Sequence, residues 1–211
     1  MTANLISLSC NAVMVLWTAL AVWSSLFRKD TCDDRKRPNL KTFRYFTTDS
    51  NILAAVSALA VLPYNFSALS GGEFLLPGWV SALKFVGTTA VCVTFFTVVL
   101  FLGPATGYGH LLRGHGMYLH GFSALLAVVS FCFCENTRVL PLSEAFLGML
   151  PTAVYGVIYL VMVIFVGTEK GGWEDFYGFN RGGKWYVSFA AMFVGTAALC
   201  LLVRMLYTIG I

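Results

Sequence analysis

Residues 80–102 read VSALKFVGTTAVCVTFFTVVLFL, an unbroken apolar stretch whose only charge is Lys84. A helix rises 1.5 Å per residue, so about 20 apolar residues cross the roughly 30 Å hydrocarbon core of a bilayer. This stretch is long enough to do so. Moving outward, five further apolar runs stand near residues 5–27, 45–62, 117–134, 145–166 and 185–207. The expected fold is all-α: an integral membrane bundle of six transmembrane helices forming a single domain over residues 1–211. Composition agrees, because 58% of the residues are hydrophobic and 11% charged, against about 25% charged in an ordinary soluble domain. The connections are too short for a separate soluble domain.

The net charge of +4 does not point to nucleic acid, because half of the 14 basic residues lie in one loop. Arg28, Lys29, Arg35, Lys36, Arg37, Lys41 and Arg44 fall between the first two runs, Arg113 in the third loop, and Lys170, Arg181 and Lys184 in the fifth. Only Lys84, Arg138 and Arg204 remain for the other side. Basic residues are enriched in cytoplasmic loops, so loops one, three and five are expected in the cytosol and both termini outside. Lys84 and Arg204 are expected to extend their heads toward the interface. Trp79, Trp173, Trp185, Tyr186 and Tyr207 are expected at the headgroup level. The six cysteines are scattered and read as reduced packing residues. With no H-E-x-x-H and no C-x-x-C, neither a metal nor a cofactor is expected.

Two polar entries mark where chemistry could sit. The second run begins Phe46-Thr47-Thr48-Asp49-Ser50-Asn51 before turning apolar. Thr47 and Asn51, four residues apart, share a helix face, whereas Asp49 points elsewhere. A helix start alone explains some of these residues; a carboxylate and an amide inside a membrane boundary also suit a binding cavity. The fourth run is entered through His110, His115 and His120, and His120 falls at nearly the depth of Thr47 on the same side. A threonine hydroxyl beside an imidazole can act as nucleophile and base. Tyr155 and Tyr159 share a face of the fifth run, suited to packing or to hydrogen-bonding a ligand. The aromatic loop from Trp173 through Tyr177 to Phe179 is expected to fold over the same mouth as a lid. A Lys84–Glu135 ion pair is expected as a structural element. Gly103-Pro104-Ala105-Thr106-Gly107 reads as a helix stop, and Asn65-Phe66-Ser67 matches a glycosylation acceptor.

The order of these elements resembles the androgen-induced-gene family of multispan membrane proteins and its small bacterial relatives. The resemblance rests on Phe46-Thr47 and Asp49-Ser50-Asn51, then His120, then Pro151 with Tyr155 and Tyr159, then the Trp173–Phe179 loop, and covers Arg44 to Phe179. It implies threonine-dependent hydrolysis of fatty-acid esters of hydroxy fatty acids, the activity of characterised animal members, with Thr47 and His120 in the catalytic places. The bacterial relatives imply a plasma membrane location. The chain departs from the family in lacking a proline shortly after the histidine, where it reads Gly121-Phe122-Ser123-Ala124-Leu125, and in lacking one in the aromatic loop.

Two functions are therefore weighed. One is an intramembrane lipid-ester hydrolase using Thr47 and His120, supported by Asp49, Asn51, Tyr155, Tyr159, Trp173 and Tyr177. The other is a non-enzymatic transporter or lipid-binding protein using Asp49, Asn51 and His120. Both take membrane lipids as partners, and a lipid ester is the substrate of the first.

Overall fold

A computed structural model describes residues 1–27 and 38–210. Among these, Arg28, Lys29, Arg35, Lys36 and Arg37 of the charge count, and Cys32, are not included. Six helices are long and apolar enough to span a membrane: α1 (Thr2–Leu26), α2 (Phe46–Leu69), α3 (Gly78–Thr106), α4 (His115–Cys134), α5 (Leu142–Val166) and α6 (Trp185–Ile209). The all-helical membrane bundle expected from hydropathy is the fold found. The helices run close to the sequence boundaries, with one clear exception.

The exception is α2, which continues past the expected end at Leu62 and carries Pro63 within it. Proline removes one backbone hydrogen bond, but Pro63 sits on an exposed face and its neighbours hold the last turns in place. Asn65 is fully buried and donates to Asn4 Oδ1 at 2.8 Å and to Ser7 Oγ at 3.0 Å, fastening α2 to α1. Burial of that amide also removes Asn65 from reach as a glycan acceptor. At the far end of α3 the expected stop is present, with Gly107 at φ +87°, a backbone conformation that glycine adopts without strain.

Helix α3 is the axis of the molecule. It packs against α2, α4, α5 and α6, while α1 closes the group by packing on α2 and α4. Half of its apolar window is buried (50%), against 17% for each of α5 and α6, which present most of their surface outward. The core between α1, α2, α3, α4 and α6 holds Met14, Ala54, Phe85, Ala127, Phe131 and Tyr207. Tyr207, near the end of α6, is fully buried within the protein: it stacks on Phe131 with centroids 4.6 Å apart and donates to Arg138 O of the fourth loop at 2.8 Å.

Small residues let the helices approach, as expected where lipid supplies no hydrophobic force between them. A Cβ on Gly87 would stand 2.7 Å from Ser57 Oγ and 3.0 Å from Ala54 Cα across the α2–α3 contact. Gly87→Val is therefore expected to cost about 1–3 kcal/mol and to lower the thermal unfolding midpoint in detergent. Gly121→Ala, where a Cβ meets nothing within 4 Å, should leave that midpoint in place.

Three wide π-helical turns interrupt the spans: Val98–Leu102 in α3, Tyr118–Phe122 in α4 and Val161–Val166 in α5. All three lie at the end of the bundle carrying loops one, three and five. Such turns often stand at functional sites because they shift backbone groups out of the regular ladder. The one in α4 contains His120.

Candidate functional site at the loop one, three and five end

The chain enters α2 from a tight 3₁₀ turn, Leu40–Arg44, and bends at Tyr45 into extended backbone (φ −104°, ψ 123°). The first helical N–H groups have no partner within a helix. Here one of them, Phe46 N–H, donates to the Tyr177 hydroxyl at 3.1 Å. The lid loop thus caps the helix that carries Thr47.

The lid is organised by Asp175, which sequence reasoning did not single out. Its Oδ1 accepts from the Tyr159 hydroxyl at 3.0 Å and from Phe179 N at 2.7 Å, and its Oδ2 accepts from Asn180 N at 2.8 Å. Tyr159 in turn accepts from Tyr177 N at 3.1 Å, and Tyr155 donates to Arg44 O at 2.7 Å. Rings of Tyr155, Tyr159, Trp173, Phe176 and Tyr177 pack edge to face and tilted at centroid distances of 4.8–6.5 Å, with the Arg44 guanidinium 5.9 Å from the Trp173 ring centroid. Both tyrosine hydroxyls of α5 bond to the protein, so these residues help to build the lid. Asp175→Ala would leave the Tyr159 hydroxyl and two backbone donors unpaired; faster amide hydrogen exchange across residues 173–180, with α1 unchanged, is the expected result.

Burial pushes the Tyr177 phenol up to about 12, although the Tyr155 side chain, the Phe46 backbone and Thr47 lie close enough to favour its ionised form. An unfolded tyrosine ionises near pH 10. The unfolded chain therefore loses this proton first, and the contribution of Tyr177 to stability is complete below pH 10 and disappears as pH rises toward 12. A fall in unfolding midpoint over that window, smaller in Tyr177→Phe, is the expected observation.

On the opposite side of α2, Asn51 reaches α4. Its Nδ2 donates to Thr47 O at 2.8 Å and across to Leu119 O at 2.9 Å, in the π turn. Ser50 Oγ bonds Thr94 Oγ1 of α3 at 2.7 Å. Asn51 is fully buried; Thr47 and His120 are half-buried. Among the described residues no hydrogen bond joins the Thr47 hydroxyl to the His120 ring, and His120 Nδ1 and Asn51 Oδ1 are buried without partners. Asn51 thus joins the first turn of α2 to Leu119, the residue before His120. His110 and His115 stay exposed, with His110 Nε2 only 3.4 Å from Thr106 Oγ1 of its own segment.

Asp49 faces elsewhere, as helical spacing required. With Phe46, Ser50 and Leu53 of α2 and Leu150, Pro151, Val154, Tyr155 and Ile158 of α5 it lines a groove of about 330 Å³. The groove is apolar apart from Asp49, Ser50 and the tyrosine, and lies between two spans.

A second polar cluster stands at the other end of the bundle. Lys84 and Glu135 are both fully buried, 3.8 Å apart. Asn11 lies between them, its Oδ1 accepting from Lys84 Nζ and its Nδ2 donating to Glu135 Oε1 at 2.7 Å; Ser7 Oγ donates to the same oxygen at 2.8 Å. The ion pair was expected, but extension of Lys84 to the interface was not what occurs. Four helices close over the ammonium and supply its partners internally. The readable signal was Ser7 and Asn11, polar and four residues apart within an apolar run, hence on one face. Among the described residues no group of three or more His, Cys, Asp or Glu side chains could hold a metal ion. Comparison with family models, with characterised proteins and with solved structures gives no match for this chain.

Proposed function

We propose that the protein is an intramembrane hydrolase of lipid esters, working in a plasma membrane with loops one, three and five in the cytosol. The orientation rests on the asymmetry of Lys and Arg between the loops. The reading is supported by one observation above all: Asn51 ties the first turn of α2, which carries Thr47, to the π turn of α4, which carries His120. The resemblance to the androgen-induced-gene family assigns the same two residues.

In this reading the acyl chain lies against α2 and α5, in the groove beside Asp49, and the ester rests under the aromatic lid. Thr47 Oγ attacks the ester carbonyl while its proton passes to His120. The tetrahedral oxyanion collapses, and the alcohol leaves with the proton that His120 carried. Water then gives a proton to His120 and attacks the acyl-threonine, releasing the fatty acid and restoring Thr47.

The test is covalent and direct. Purified protein in micelles, given a fatty-acid ester of a hydroxy fatty acid, should release free acid, and a fluorophosphonate probe should label a peptide at Thr47. An absence of both would defeat the hydrolase. The groove also supports a non-covalent reading, binding or transport of a single-chain lipid, which predicts lipid binding that depends on Asp49 and ignores Thr47→Ala.

A further inference from the structure

The two unpartnered atoms beside the proposed nucleophile complement one another. Asn51 spends both amide hydrogens, on Thr47 O and Leu119 O, and only an NH₂ group can donate to two carbonyls. Its orientation is therefore fixed by chemistry, leaving Oδ1 as a buried acceptor that lacks a donor. Leu119 immediately precedes His120, so this acceptor is held against the stretch of α4 from which the imidazole projects. The Cδ2 edge of the ring lies 3.7 Å from where a Cβ on Gly116 would stand, one turn back along α4. Nδ1, on the other edge of the ring, is buried without a partner. A buried polar group without a partner costs about 1–3 kcal/mol, and here one group needs a hydrogen while the other can supply it.

We propose that Asn51 is a positioning residue for His120: its Oδ1 accepts the Nδ1 proton across one bridging water, and so fixes the neutral imidazole with a bare Nε2. The identity of the protonated nitrogen is set by the hydrogen bond the other one makes. Left alone in water, imidazole side chains favour hydrogen on Nε2, which would make that atom a donor and useless as a base toward Thr47. Asn51 reverses the preference. The acceptor lies within the π turn: Leu119 O accepts from Asn51 Nδ2 at 2.9 Å and from Ser123 Oγ at 3.4 Å. The catalytic meaning of this arrangement rests on the hydrolase reading; the tautomer itself does not.

The experiment is therefore spectroscopic. Full-length protein labelled with ¹⁵N-histidine in micelles gives three imidazole spin systems, and His120→Gln identifies the one sought. Above the titration range, His120 is expected to show a protonated Nδ1 and an unprotonated Nε2, with the opposite tautomer at His110 and His115. Asn51→Leu should return His120 to the Nε2-protonated form. Protonated Nε2 at His120 in the wild type overturns the proposal. So does a tautomer unchanged in Asn51→Leu. Because no substrate is needed, an inactive protein with protonated Nδ1 would refute the hydrolase and leave Asn51's role standing.

Discussion

Lys84→Met is expected to destabilise the bundle by about 3–5 kcal/mol, the usual consequence of removing one partner from a buried ion pair. The ammonium and the Glu135 carboxylate are both fully buried. Without Lys84, Glu135 keeps only the neutral donors Ser7 and Asn11, and Asn11 Oδ1 loses its partner. Glu135→Leu alone should cost a comparable amount by stranding the ammonium. The pair as a unit contributes far less than either truncation suggests, since desolvating two charges offsets most of their attraction. Lys84→Met with Glu135→Leu should therefore recover much of the loss. Denaturation in mixed micelles, followed by tryptophan fluorescence, measures all three variants. Additive losses in the double variant would show that the two charges do not act as a pair.

Under the proposed hydrolase reading, Thr47→Ala should reduce ester turnover to the uncatalysed background, because that reading makes the Thr47 oxygen the one that is acylated. His120→Ala should lower kcat by about 10²–10⁴, the range general base catalysis contributes. Thr47→Ser, which keeps the oxygen, should retain measurable rate and probe labelling. Amide exchange across α1 and α3 unchanged from wild type would show that activity vanishes without a change in fold. Turnover surviving Thr47→Ala would move the nucleophile elsewhere.

The spans were legible because apolar length alone determines what crosses a bilayer, whereas Leu62 reads as an end because the apolar run stops there, at Pro63-Tyr64-Asn65. What rescued that helix was Asn65 bonding to Asn4 and Ser7, a contact between residues sixty positions apart that no local pattern announces. The face shared by Thr47 and Asn51 and the divergence of Asp49 followed from helical spacing and hold in three dimensions. The π turn around His120 did not, since a single extra residue in a helical turn leaves hydropathy unchanged. Asp175 was overlooked for a related reason: an acidic residue in an aromatic loop looks solvated until three donors converge on it. Lys84 was read by distance from a span end, but its environment is decided by which helices surround it.

The Asn11–Lys84–Glu135 knot bears on how the chain is made. During synthesis α1 and α2 emerge before the ammonium on α3, and the carboxylate at the end of α4 emerges later still. Until α4 arrives, the nascent chain offers Lys84 an amide but no counterion, and lateral release of α3 into lipid on its own is disfavoured. Membrane insertion of α3 and α4 as a pair, docking onto a waiting α1–α2 hairpin, is the assembly order this charge distribution favours.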